Sequence, residues 1–296
     1  MNWILIVVVA VALCSASCSH LRLLQKGVSD TLRPTGERIG TLACREITES
    51  SGIACSRVNK NILWTHNDSD NAPTLYAFNL KGEDLGRFTV MGAQNVDWED
   101  MASYRKGRDS FLVISDAGDN LEQRPFYTLY VVEEPYVNPR KRNVKGVAQV
   151  IRKIDFQFDD GPQNCEAIAV DPETEIVYLV SKHGRAGCKI YELPIPAEPV
   201  AVPVTAKTVL KTDLCDTTAM DISGDGRKAI LLTYTEAYAF ARQKGESWAQ
   251  AFSRKPTPVE VPFRKQGESV AYDMDGKVLY LTSEGDASPL LVVDAP

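Results

Sequence analysis

From residue 38 to its end the chain is a succession of short apolar runs in which polar residues alternate with Val, Ile, Leu, Tyr and Phe, cut by Gly, Asp and Pro turns. A period of two predicts strands rather than helices. One small, apolar phrase with an aliphatic centre recurs five times: Ser51-Gly52-Ile53-Ala54-Cys55, Glu99-Asp100-Met101-Ala102-Ser103, Glu166-Ala167-Ile168-Ala169-Val170, Thr218-Ala219-Met220-Asp221-Ile222 and Glu268-Ser269-Val270-Ala271-Tyr272. Each is followed, after a turn, by a second strand, such as Ile62 to His66 or Val177 to Ser181, and then by a third. Turns such as Asp171-Pro172, Gly224-Asp225-Gly226 and Asp275-Gly276 are of hairpin type.

The five centres are spaced by 48, 67, 52 and 50 residues, the length of one four-stranded unit each. The pattern predicts an all-β fold, a β-propeller of five four-stranded blades, with six as the alternative. The long second step is assigned to a Pro- and charge-rich insertion from Glu133 to Lys145, ahead of a strand at Val150 to Phe158. The last unit has three strands, so Arg38 to Ile47 is expected to pair with Leu290 to Val293 and close the ring. Ser247 to Arg254 is the one amphipathic helical segment.

The apolar run Ile4 to Leu13, followed by Ser15-Ala16-Ser17, has the form of a secretory signal and is too short to span a bilayer. The organisation read from the chain is a signal over 1–17, a linker over 18–37 and a single domain over 38–296. The protein is then secreted or periplasmic and has no transmembrane span, with a lipid anchor on Cys18 as the minor alternative. Of seven cysteines, Cys44, Cys55, Cys165, Cys188 and Cys215 remain in the domain, for structural bridging or plain burial. A hydrophobic fraction of 44% and a charged fraction of 24% describe a folded globular protein with a core, and a monomer is expected. The net charge of -6, with no basic stripe, excludes nucleic acid as a partner.

In a ring of blades, the starts of first strands and the ends of second strands share one face. That brings together Asp97, Glu99, Asp100, Glu166 and Glu268 with His66, Asn67, Asp68 and Asp116. The oxygen donors Asn67, Asp68, Glu99, Asp116, Glu166 and Glu268 form a candidate metal set, and calcium suits such a set better than zinc does. His66 and Asp116 are the candidate catalytic pair, for proton transfer beside the metal. The other reading of Glu99, Glu166 and Glu268 is structural, as acceptors for backbone amides of neighbouring units.

The phrases Trp64-Thr65-His66-Asn67-Asp68-Ser69, Asn95-Val96-Asp97-Trp98-Glu99-Asp100, Asp116-Ala117-Gly118-Asp119-Asn120, Thr218-Ala219-Met220-Asp221-Ile222-Ser223 and Gln266-Gly267-Glu268-Ser269 resemble a family of uncharacterised secreted bacterial β-propellers. More distantly they resemble the SdiA-regulated and esterase-like phytase propellers, a likeness that implies calcium binding. Thr218 and Ser51 stand where other units carry Glu, so a complete acidic ring does not carry over. Two functions follow as expectations. One is a calcium-dependent hydrolase of an anionic ester, phosphodiester or lactone; the other is a non-catalytic extracellular binding or scaffold propeller. The expected partner is a small anionic ligand or an extracellular protein.

Overall fold

The computed structural model describes residues 36–182, 187–264 and 266–296. The signal over 1–17, Cys18 and all but the last two residues of the 18–37 linker lie outside the described residues. The chain runs through β1 (Glu37–Thr41), β2 (Gly52–Cys55), β3 (Ile62–His66), β4 (Thr74–Asn79) and β5 (Asp84–Met91). Next come β6 (Trp98–Lys106), β7 (Asp109–Asp116), β8 (Tyr127–Glu133) and β9 (Val144–Phe158). They are followed by β10 (Cys165–Val170), β11 (Ile176–Ser181), β12 (Lys189–Pro194) and β13 (Val204–Lys211). The remaining strands are β14 (Thr217–Ile222), β15 (Lys228–Thr233), β16 (Ala237–Ala241), β17 (Thr257–Val259), β18 (Gly267–Tyr272), β19 (Val278–Ser283) and β20 (Pro289–Asp294).

Hydrogen bonding gathers these strands into three sheets. One has the order β1-β20-β19-β18 and another β14-β15-β16-β17. The third has twelve strands, because β9 joins units that the sequence pattern separates. Its first half pairs in parallel with β5, from Gly86↔Val144 to Met91↔Gln149. Its second half pairs antiparallel with β8, and its end pairs in parallel with β13 through Val204↔Phe156. The predicted propeller of five separate blades is therefore corrected: there are three sheets, and none closes on itself into a ring or barrel. The physical reason lies in Val144 and Lys145, read as the end of an insertion, and the four residues after them, which together supply the first six residues of a 15-residue strand.

The N-terminal strand does pair with the C-terminal one, from Glu37↔Val292 to Thr41↔Pro289, with a bulge between Arg38 and Gly40. Strands β2, β10, β14 and β18 are buried throughout and β6 over its first seven residues, and they pack in succession, β2 on β6, β6 on β10, β10 on β14, β14 on β18 and β18 on β2. Two buried carboxylates tie them. Asp100 on β6 accepts hydrogen bonds from the amides of Met101, Ile168 and Met220 at 2.8, 2.9 and 3.1 Å. Asp221 on β14 accepts from Ile222 at 2.9 Å and Tyr272 at 2.8 Å.

Apolar faces fill the spaces between these strands and their neighbours. Trp64 and Trp98, both fully buried, pack with Phe88, Met101 and Tyr130. Among the described residues one helix is found, α1 (Trp248–Phe252), started by a capping box between Ser247 and Gln250. Cys44, Cys55, Cys165, Cys188 and Cys215 are free thiols, the first four buried, so burial is the reading that holds and bridging is not.

Candidate functional site

A bulge at the start of an inner strand is the local event that aims the acidic side chains. In β10 the register passes from Cys165↔Ser181 to Ala167↔Val180, which leaves Glu166 as the extra residue. The same slip leaves Thr218 extra in β14 and Glu268 extra in β18, and β6 slips between Trp98 and Met101, around Glu99. An extra residue leaves the pleat's alternation and turns its side chain to a new direction.

Asp68, Asp97 and Glu99 converge, each offering a carboxylate oxygen, with the three oxygens within 4.8 Å of one another. Asp68 follows β3, Asp97 precedes β6 and Glu99 lies in it, so two distant chain segments build the cluster. Asn95 joins them: its Nδ2 donates to the carbonyl of Asp68 at 2.7 Å and its Oδ1 accepts from the amide of Trp98 at 3.1 Å. Gly118 lies against the pair, since a Cβ there would collide with the carboxylates of Glu99 and Asp97. The arrangement could coordinate a metal ion.

Mutual repulsion marks the electrostatics. Burial, followed by the charge of Asp68, pushes the Asp97 carboxyl up to about 6. Glu99 is raised well above the usual range by burial, then by Glu166, Asp68 and Asp97. Asp68 is raised by burial against the opposing amide of Ser69. Lys182, the cation beside this group, is engaged elsewhere, with its Nζ 2.8 Å from Glu166 Oε2 and 4.7 Å from the Tyr234 ring centre.

The other residues of the predicted set have separate surroundings. Glu166 accepts from Asn164 Nδ2 at 2.8 Å as well as from Lys182, and it is raised chiefly by burial. Glu268 is pushed up to about 8 by burial and then by Glu284. Asp116 pairs with Arg124 at 2.8 Å and accepts from the amides of Val96 and Asp97 at 3.1 and 3.2 Å, so it holds the backbone that carries Asp97. Asn67 latches a loop: Oδ1 accepts from the amides of Thr48 and Glu49, and Nδ2 donates to the carbonyl of Glu46 at 2.7 Å. His66 is fully buried, with Nδ1 3.0 Å from the carbonyl of Asn67 and its ring edge-on to Trp98. Burial pushes it down to about 4, so it is neutral at neutral pH.

No family model matches this chain, and no curated protein does. Among solved structures it is similar to a chain of a nidogen/laminin complex, with 16% identity and a TM-score of 0.46, covering 78% of this chain and 71% of that one. It is also similar to Raptor of Chaetomium thermophilum, with 11% identity and a TM-score of 0.45, covering 92% of this chain but 30% of that one. Both likenesses are weak and carry no functional argument. The resemblance to secreted bacterial, SdiA-regulated and phytase-like propellers is corrected by these findings, since no family model supports it. The propeller hydrolase, and the propeller scaffold held beside it, rested on that resemblance and on a closed ring of blades. With three open sheets and no family match, neither is retained. What stands is a cluster of three carboxylates able to hold a metal ion.

Proposed function

We propose that this chain is a divalent-cation-binding protein that works outside the cytoplasm and holds calcium between Asp68, Asp97 and Glu99. The observation that carries the reading is the convergence of three carboxylate oxygens within 4.8 Å with no ammonium or guanidinium of the described residues bonded to them. Two carboxylates about 4 Å apart repel by about 4 kcal/mol near a protein surface, a cost that a divalent ion converts into attraction. The donors are all oxygen, which favours calcium or magnesium over zinc. Calcium fits better, because it takes six to eight oxygens in irregular geometry while magnesium demands a near-ideal octahedron. The leader-like run at Ile4 to Leu13 supports an extracytoplasmic location, where calcium is abundant. An anionic group of a small ligand or an extracellular partner is a natural occupant of coordination positions that the protein leaves open.

Isothermal titration of the metal-stripped protein with calcium, magnesium and zinc tests the proposal. One saturable calcium site, abolished by Asp97→Asn, is expected. Undiminished calcium binding by Asp97→Asn, or no binding by the parent protein, rejects it.

A further inference from the structure

Arg264 is the least satisfied charged side chain of the described residues. It is 4% exposed, and its Nε and Nη2 have no hydrogen-bond partner. Its Nη1 donates to the carbonyl of Pro262 at 3.2 Å. No described carboxylate pairs with it, and burial alone pushes the guanidinium down to about 10. Elsewhere this fold satisfies its buried guanidinium groups. Arg242 pairs with Asp171 at 2.9 Å and Glu173 at 3.0 Å, and Arg57 donates to Ser103 at 3.0 Å.

The surroundings of Arg264 are built for it. Its guanidinium lies against Gly267, where any side chain would collide with Nε, Cζ and Nη2. Gly267 opens β18 and pairs with Ser283, just as Trp98 opens β6 and pairs with Asp116, so Arg264 stands at the end of the inner strands that carries the acidic cluster. The neighbouring Phe263 is 84% exposed, which inverts the usual order of an apolar residue inside and a charged one outside. An unpaired buried ion is strongly unfavourable, and an unsatisfied group of this kind calls for an occupant. Two adjacent guanidinium donors match the paired oxygens of a carboxylate or phosphate.

We propose that Arg264 is the receptor for an oxyanion, a carboxylate or phosphate, which a ligand brings to the start of β18. Nε and Nη2 donate side by side to two of its oxygens, and Phe263 offers an apolar contact next to them. The proposal does not rest on the cation site and is tested with chelator present. Thermal melting is followed in chloride buffers of constant ionic strength while inorganic phosphate or acetate is exchanged for chloride. The parent protein is expected to show a saturable rise in Tm with at least one anion, and the anion that acts identifies the ligand's group. Arg264→Met is expected to show no such rise and, without anion, to melt no lower than the parent. An equal rise in both proteins, or none in the parent with either anion, overturns the proposal. If Arg264→Met does not fold, Arg264→Lys serves, because it keeps the charge and loses the fork. An affinity at least tenfold weaker is then expected, and an unchanged affinity overturns the assignment.

Discussion

Asp97, Glu99 and Asp100 lie within four positions of one another and do different work, because their donors differ. Asp100 collects three backbone amides, which makes it a tie between β6, β10 and β14. Glu99 collects repulsion instead. Replacing Asp100 by Ala strips an acceptor from three buried amides, each worth about 1–3 kcal/mol when left unmade, so a loss above about 3 kcal/mol is expected in urea unfolding. Asp100→Asn keeps one acceptor oxygen and is expected to cost less. The raised carboxyls set a pH dependence with a definite sign. A group whose folded pKa exceeds its unfolded value adds stability below the unfolded pKa and loses it as pH rises through the folded one. With Asp97 at about 6 and Glu268 at about 8, the metal-free protein should lose melting temperature steadily from pH 5 to pH 8. A melting temperature that is flat or rising across that window would contradict these assignments. Gly118→Ala tests the cluster from its other side, because the added methyl meets both carboxylates, and at least a tenfold loss of calcium affinity is expected by titration.

At the scale of elements, the alternating pattern disclosed most strands, because side-chain period is a local property, and the count of three strands in the last unit pointed to the pairing of β1 with β20. What alternation could not disclose is the partnership of β9. Whether Val144 and Lys145 end an insertion or begin β9 depends on β5, more than fifty residues earlier, offering its edge. The candidate site was legible to the same degree. Asp68 and Glu99 stood out by residue type and place, while Asp97 was placed on the right face but left out of the ligand set. Asp116 and Asn67 were chosen for their oxygens, and the structure gives those oxygens to Arg124 and to backbone amides. The bulges that turn Glu99, Glu166 and Glu268 leave no mark in a sequence, since a bulge is defined by the opposite strand. The pairing of β1 with β20 makes a prediction of its own. Deleting residues up to Thr41 exposes the edge of β20 together with apolar surface on Leu290 and Leu291, so the truncated protein is expected to melt lower and to aggregate on heating. Unchanged melting would mean that β1 contributes nothing to the fold.

For the molecule as a whole, the proposed cation site and the inner strands are linked by position. Asp68 and Asp97 sit on loops at one end of β3 and β6, and β6 is tied through Asp100 to β10 and β14. An ion that fixes those loops therefore stabilises the native state against a chain that has no such site once unfolded. A hundredfold excess of ion over its dissociation constant adds about 2.7 kcal/mol. For a domain of this size each kcal/mol moves Tm by about 2–4 °C, so a calcium-dependent rise on the order of 5–10 °C is expected. Calorimetry with calcium, with chelator, and with calcium restored after chelation measures it. The effect should grow from pH 6 to pH 8, because the ion binds the ionised carboxylates while protons compete for Asp97 and Glu99 at the lower pH. Asp97→Asn should melt at the same temperature with calcium as with chelator. If calcium instead stabilised Asp97→Asn as much as the parent, the ion would be acting at another place, and Asp68, Asp97 and Glu99 would be carboxyls that share protons rather than a metal.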